Sequence, residues 1–190
     1  MTFSFTKLAT TALTGLAALG FASASYATPT STVPQEGSLD AHAVLVQAIE
    51  RQGVDFIVNH DFCQQNPGVM GFYSSRARVL VVCNDNYTAE NKTPDWTAND
   101  LDTLRHEAQH MIQDCMIGSL QDDRLGPVYK DPIGLAYGIL GGERMQGINT
   151  LYRGNGADTH TVVLEWEAFS VAEMNVPLEQ SQDIARYCGA

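Results

Sequence analysis

The chain has 190 residues, of which 44% are hydrophobic and 17% are charged, a composition typical of a globular protein. Its 22 acidic residues outnumber its 11 lysines and arginines, which gives a formal net charge of -11. An acidic excess repels phosphate backbones and anionic lipid surfaces, so nucleic acid is excluded as the expected partner.

The first 27 residues have the layout of a secretory signal peptide. Lys7 precedes an apolar stretch over residues 8–21, and Ser25 and Ala27 stand where a signal peptidase would cleave. A membrane helix is the weaker interpretation, because the stretch is short for a bilayer and threonines interrupt it.

The remainder of the chain is expected to form one exported domain. Residues 28–37 are rich in Pro, Thr and Ser and predict an extended leader, and residues 38–190 suit a single domain with one core. No later segment is apolar for long enough to span a membrane. We therefore expect a secreted or periplasmic protein with no membrane span in its mature chain.

The first half of the expected domain predicts a helix followed by a small sheet. Apolar residues recur at helical spacing over residues 39–52, and Gly53 follows them. Strands are predicted over residues 54–59, 69–73 and 78–83; the last of these, RVLVVC, is rich in β-branched residues. The last two strands are expected to form a hairpin.

The second half predicts helices only, so the expected fold class is α+β. A first helix starts at a Thr97 or Asn99 cap and runs to about residue 116, and residues 133–152 predict a two-part helix that bends near Gly141. A further helix is capped by Thr159 or Thr161 and ends near residue 175. A short helix over residues 178–187 closes the chain.

All four cysteines lie after the predicted cleavage point, and an even number in an exported chain predicts two disulfide bonds. Three pairings are possible. We favour Cys63–Cys83, which closes a local β unit, and Cys115–Cys188, which ties the C-terminus to the end of a helix. Metal binding by these cysteines is disfavoured, because no two are spaced C-x-x-C.

The segment His106-Glu107-Ala108-Gln109-His110 has the pattern H-E-x-x-H. On a helix its two imidazoles can bind one zinc ion, and the glutamate can act as general base. A helical wheel places both histidines opposite the apolar face that includes Leu104 and Met111, so they are not ordinary core residues. The alternative is an exposed polar face that happens to carry two histidines.

A catalytic zinc ion also needs a third protein ligand, with one position left for water. Glu165 is the preferred candidate, because the small residues Ala168 and Ala172 share its helix face and allow a close approach to the motif helix. Glu167, His160 or an aspartate remain alternatives. His42 and His60 lie outside these segments and are expected to be ordinary surface or loop residues.

These segments resemble the HExxH zinc metallopeptidases of the zincin superfamily, and more closely the gluzincin branch, whose third ligand is a glutamate on a later helix. Glu165, Trp166, Glu167 and Ala168 match that helix, whereas Phe169 stands where those families place Asp. The resemblance implies a zincin-like α+β domain. It also implies that an edge strand, here residues 78–83, borders the cleft and binds an extended peptide.

The expected function is hydrolysis of peptide bonds in a peptide or protein substrate. Zinc held by His106, His110 and Glu165 would activate a water molecule, and Glu107 would take its proton and pass it to the leaving amine. Tyr137, Tyr152 and His160 are candidates for the donor that stabilises the oxyanion. The alternative function is a secreted, non-catalytic zincin-fold interaction module with a structural zinc.

Overall fold

A computed structural model describes residues 39–118, 120 and 124–189. The predicted signal peptide and leader lie outside these residues. The described elements are α1 (Leu39–Arg51), β1 (Asp55–Val58), α2 (Asp61–Gln65), β2 (Gly71–Ser74), β3 (Val79–Val82), α3 (Ala98–Cys115), α4 (Pro132–Ile139), α5 (Gly141–Gly154), α6 (Thr159–Met174) and α7 (Pro177–Tyr187). This mixture of one small sheet and several helices confirms the α+β class. None of the described helices combines the length and the apolar character that a bilayer crossing requires.

The described sheet has the strand order β1-β3-β2. β1 runs parallel to β3, with Asp55 opposite Val79, and β2 runs antiparallel to β3, with Gly71 opposite Val82. The predicted β2–β3 hairpin is therefore present. The expectation that residues 78–83 form an edge strand is wrong, because β3 is paired on both sides. Its central position agrees with the burial of Leu80, Val81 and Val82.

The main core lies between the sheet, α1, α3 and α7. Its fully buried aliphatic side chains include Leu45 and Ile49 from α1, Leu80 from β3, Leu104 from α3 and Ile184 from α7. All three helices were predicted from the sequence, α1 and α3 with apolar residues at helical spacing. The five-residue α2 was not predicted. It is capped by the exposed His60, whose Nδ1 accepts a hydrogen bond from the Phe62 N–H at 3.1 Å.

Local signals define where the long helices begin. Thr97 caps α3 through a capping box: its side chain accepts from the Asp100 N–H, and the Asp100 carboxylate accepts from the Thr97 N–H. The two-part helix is confirmed, and α5 begins at Gly141, whose φ of +73° favours glycine. The prediction that Thr159 or Thr161 caps α6 is wrong. Asp158 does so, because its carboxylate accepts from the Thr161 N–H at 2.8 Å.

Arg105 connects α3 to three other helices. Its Nε donates to the Ala172 carbonyl of α6 at 2.8 Å, and its Nη1 lies 2.7 Å from His42 Nε2 of α1. Its own carbonyl accepts from the Gln180 side chain of α7 at 2.8 Å. The expectation that His42 is a surface or loop residue is therefore wrong: its side chain is fully buried, because it meets the guanidinium at a helix junction.

Both favoured disulfides are present. Cys63–Cys83 joins α2 to the residue after β3 across 20 positions, and Cys115–Cys188 joins the end of α3 to the residue after α7 across 73 positions. The described part of the chain contains no free cysteine. Such bonds are typical of proteins from oxidising compartments.

Removing the Cys115–Cys188 disulfide, which closes the longer loop, is expected to destabilise the protein more than removing Cys63–Cys83. Loop entropy predicts a loss of about 4 kcal/mol for Cys115→Ala/Cys188→Ala and about 3 kcal/mol for Cys63→Ala/Cys83→Ala. Urea unfolding of the two double variants beside the parent chain measures both losses. A larger loss for the Cys63–Cys83 pair would contradict this order.

Candidate metal centre

Helices α3 and α6 face each other across polar side chains. On α3, four such residues recur at positions i, i+3, i+4 and i+7, which places them on one helix face. They are His106, Gln109, His110 and Gln113, and all four are buried. The alternative that the histidines lie on an exposed polar face is therefore excluded by their burial against α6.

Three donor atoms from the two helices meet at one point. His106 Nε2 lies 3.1 Å from Glu165 Oε2, and His110 Nε2 lies 3.5 Å from the same oxygen. The two Nε2 atoms are 3.1 Å apart. In the described part of the chain, these three residues form the cluster whose geometry allows a metal ion. The structure thus brings together the three residues predicted to bind zinc.

The donor set fits a zinc ion. Nitrogen and oxygen ligands about 2.1 Å from a tetrahedral zinc ion are separated from one another by about 3.4 Å. The observed separations of 3.1–3.5 Å match that spacing. The ligand chemistry also agrees, since two imidazoles and one carboxylate are a combination typical of catalytic zinc.

Glu107 lies beside this cluster and against the sheet. Burial raises the pKa of its carboxyl group, and the nearby His106 and His110 only partly offset that shift. The Tyr73 N–H of β2 hydrogen-bonds to it. Gly71 permits this close approach, because a Cβ there would lie 3.3 Å from Glu107 Cγ and would clash with neighbouring atoms. A raised pKa brings a carboxylate closer to the range useful for a general base.

The predicted ligands Glu165 and His110 shift each other's pKa values. Burial would raise the pKa of Glu165, but the charge of His110 and hydrogen bonds from both histidines hold it well below its usual range. Burial opposes a charge on His110, but its interactions with Glu165, above all, raise its pKa to about 9. In the absence of metal, the cluster therefore favours a carboxylate beside a protonated imidazole.

The alternative third ligands lie elsewhere. Glu167 is fully buried, and its carboxylate is occupied by hydrogen-bond donors from α3 and from the segment before α4. His160 is exposed, and its Nε2 lies 2.9 Å from the Leu125 carbonyl. Phe169 packs its ring on His106, with 4.3 Å between the ring centroids. Of the candidates named from the sequence, Glu165 is the one in the cluster.

Of the three proposed oxyanion donors, Tyr152 is the one at the centre. Its phenol lies close enough to the Glu165 carboxylate to interact with it. Burial, followed by the charge of Glu165, raises its pKa well above its usual value, so the phenol remains a proton donor. Tyr137 is 69% exposed, and His160 is engaged at the Leu125 carbonyl.

The amide side chains around the histidines were not predicted from the sequence. Gln113 Oε1 lies 2.8 Å from His110 Nδ1, and Gln109 Nε2 donates to Glu167 at 3.0 Å. A signal for them was present, because both share the 3–4 spacing of the histidines on α3. A wheel that separates only apolar from polar residues does not show that a polar face is buried.

Comparison with known proteins identifies no chemical function for this chain. A family described as "Domain of unknown function (DUF8637)" matches residues 39–125. The match contains the H-E-x-x-H segment and ends before α4, so Glu165 lies outside it. No curated protein and no solved structure matches the chain.

The titration of the cluster predicts a pH-dependent stability for the metal-free protein. The pKa of His110 is raised above its unfolded value of 6.5, so its contribution is fully present below that pH and is lost as the pH rises through about 9. The contribution of Glu165, whose pKa is lowered from 4.5, is present above that value and is lost in acid. We expect a larger free energy of unfolding at about pH 6 than at about pH 9.

Urea unfolding in a chelator at both pH values measures this difference. Glu165→Gln is the matched control, because it removes the charge that raises the pKa of His110. The difference in unfolding free energy between the two pH values should be smaller in this variant than in the parent chain. Equal stability of the parent chain at the two pH values would contradict the expected coupling.

Proposed function

We propose that this chain is an exported, zinc-dependent peptidase of the gluzincin type. One observation carries the proposal: His106, His110 and Glu165 bring three buried donor atoms to separations suited to zinc, with Glu107 beside them. The order of elements adds support, since a hairpin precedes the motif helix and a later helix supplies the third ligand. The two disulfides support export to an oxidising compartment, either the periplasm or the exterior.

The residues of the site have distinct roles in peptide hydrolysis. His106, His110 and Glu165 hold the ion, and zinc in such a site supplies Lewis-acid polarisation and a water molecule of lowered pKa. Glu107 accepts the proton of the attacking water and delivers it to the leaving amine. The Tyr152 hydroxyl donates to the oxygen on which negative charge develops.

A structural zinc in a non-catalytic interaction module is the second candidate. The low exposure of the ligands favours it, because the three side chains that would bind the ion belong to residues only 7–9% exposed. Structural zinc sites generally use four protein ligands, however, and the described residues supply three. Glu107 also has no role in a purely structural site. The catalytic function therefore accounts for more of the observed residues.

Glu107→Gln is expected to separate metal binding from turnover. The variant should retain one zinc per chain, because Glu107 is not a ligand, whereas kcat/KM on a mixed peptide library should fall by roughly 10²–10⁴. Metal analysis of the purified mature chain and mass-spectrometric detection of cleavage measure the two quantities.

The exposed Glu50 of α1 offers a matched control, since Glu50→Gln makes the same chemical change at an exposed position far from the zinc ligands in sequence. It should leave both quantities unchanged. The peptidase proposal is abandoned if the parent chain binds no stoichiometric zinc, or if Glu107→Gln cleaves the library as fast as the parent.

Tyr152→Phe is expected to lower kcat by roughly 10²–10³ with little change in KM, because the hydroxyl acts on charge that develops during the reaction. Steady-state kinetics on a peptide cleaved by the parent chain provides the test. Tyr137→Phe is the control, since Tyr137 is exposed. A loss confined to KM, or an equal loss in both variants, would remove Tyr152 from this role.

A further inference from the structure

A chain of hydrogen bonds lies behind one of the two candidate histidine ligands. His110 Nδ1 lies 2.8 Å from Gln113 Oε1. Gln113 Nε2 lies 3.0 Å from the Leu164 carbonyl and 3.0 Å from Glu167 Oε1. Gln113 and Glu167 are both fully buried, so water does not replace these contacts. We call Gln113 and Glu167 the amide–carboxylate relay.

The partners of Gln113 determine which way its amide faces. A carbonyl and a carboxylate only accept hydrogen bonds, so the NH₂ end of Gln113 must face Leu164 and Glu167. Its oxygen then faces His110, and because an amide oxygen only accepts, the Nδ1 of His110 must carry a proton. A neutral His110 therefore has its lone pair on Nε2, the atom that faces His106 and Glu165.

Glu167 is held in place by donors from two parts of the chain, α3 and the segment before α4. Its Oε1 accepts from the side chains of Gln109 and Gln113, both at 3.0 Å, and its carboxylate also accepts from the Val128 and Tyr129 N–H groups at 3.0–3.1 Å. Each of these partners is a donor, so none competes with Glu167 for the Gln113 NH₂ group. The relay therefore has one satisfied arrangement.

The other histidine has no such support. His106 Nδ1 is buried and has no hydrogen-bond partner in the described part of the chain. Its ring is held by packing on Phe169, over whose ring Arg144 lies, 5.9 Å from the centroid. An aromatic ring fixes the plane of an imidazole but does not select its tautomer. The two histidines are thus oriented by different means.

We propose that Gln113 and Glu167 are positioning residues that select the His110 tautomer and direct its Nε2 toward the metal. The inference rests on the proposed zinc site. Partners behind a ligating histidine usually change metal affinity 10- to 100-fold when they are removed. Because His106 has no equivalent partner, the preorganisation of the imidazole ligands depends mainly on this relay.

Gln113→Met tests the relay, because it keeps the length of the side chain and removes the acceptor. The hydrogen bond to Gln113 requires a proton on Nδ1 whether or not Nε2 is also protonated. In metal-free protein labelled with ¹⁵N-histidine, this Nδ1–H proton of His110 should therefore be protected from exchange in the parent chain and lose that protection in the variant. Zinc affinity, measured by competition with a chelator, should fall 10- to 100-fold.

Gln180→Met is the matched control. Gln180 is also fully buried and also donates to a backbone carbonyl, that of Arg105, but it lies on α7 and does not contact His110. It should change zinc affinity by less than about threefold. An equal loss in Gln113→Met and Gln180→Met would overturn the proposal, because a general loss of packing would then explain both.

A second variant guards against simple misfolding. Glu167→Gln keeps the size of the side chain but replaces one carboxylate oxygen with an NH₂ group, which cannot accept from the donors around Glu167. Zinc affinity and the protection of the His110 Nδ1–H should both fall while urea unfolding shows a folded protein. Unchanged affinity and unchanged protection in folded Glu167→Gln would contradict the relay.

The spectroscopic measurement also separates this inference from the proposed function. A parent chain that binds no zinc contradicts the proposed zinc peptidase. Loss of the His110 Nδ1–H protection in Gln113→Met would still support orientation of the His110 ring by the relay. Unchanged protection in that variant overturns the relay whatever the zinc affinity.

Discussion

The packing of α3 against α6 buries ionisable and amide side chains where most helix pairs bury apolar ones. A buried carboxylate is strongly destabilising unless charges or hydrogen-bond donors surround it. The interface satisfies that requirement twice. Glu165 meets two histidines and a tyrosine hydroxyl, and Glu167 meets amide and backbone donors. Hydrogen bonds form only at short distances, so a shift of one helix relative to the other would leave these buried groups without partners. The relative position of α3 and α6 therefore determines the stability of their interface.

Several contacts outside this interface restrain α3. Arg105, the residue before His106, reaches α1 and α6. The Cys115–Cys188 disulfide restrains the C-terminal end of the helix. The sheet supports the opposite side, where Gly71 allows β2 to approach Glu107. The histidines are therefore presented from a helix restrained near its middle and at its C-terminal end, which favours the rigid geometry that a metal site needs.

The pKa values of the two carboxylates near the candidate metal are shifted in opposite directions. Burial raises the pKa of Glu107, whereas the adjacent histidines lower that of Glu165. Such a division is a physical requirement of the proposed chemistry, because a ligand must remain ionised while a general base must exchange its proton. Both residues lie in one buried cluster, so the difference comes from their immediate partners. Glu165 has the shortest contacts with the imidazoles, whereas for Glu107 the histidines and the Tyr73 N–H only partly offset burial.

The sequence by itself determined the parts of this protein that depend on local pattern. Apolar spacing and caps predicted α1, α3 and the broken α4–α5 pair, and the H-E-x-x-H string with the small residues after Glu165 predicted which side chains meet. Only the tertiary structure decided that β3 is central, that His42 is buried on Arg105, and that Gln113 and Glu167 lie behind His110. The reason is physical: strand order and the partners of a buried polar group depend on which distant elements pack together, and no local pattern of one chain records that.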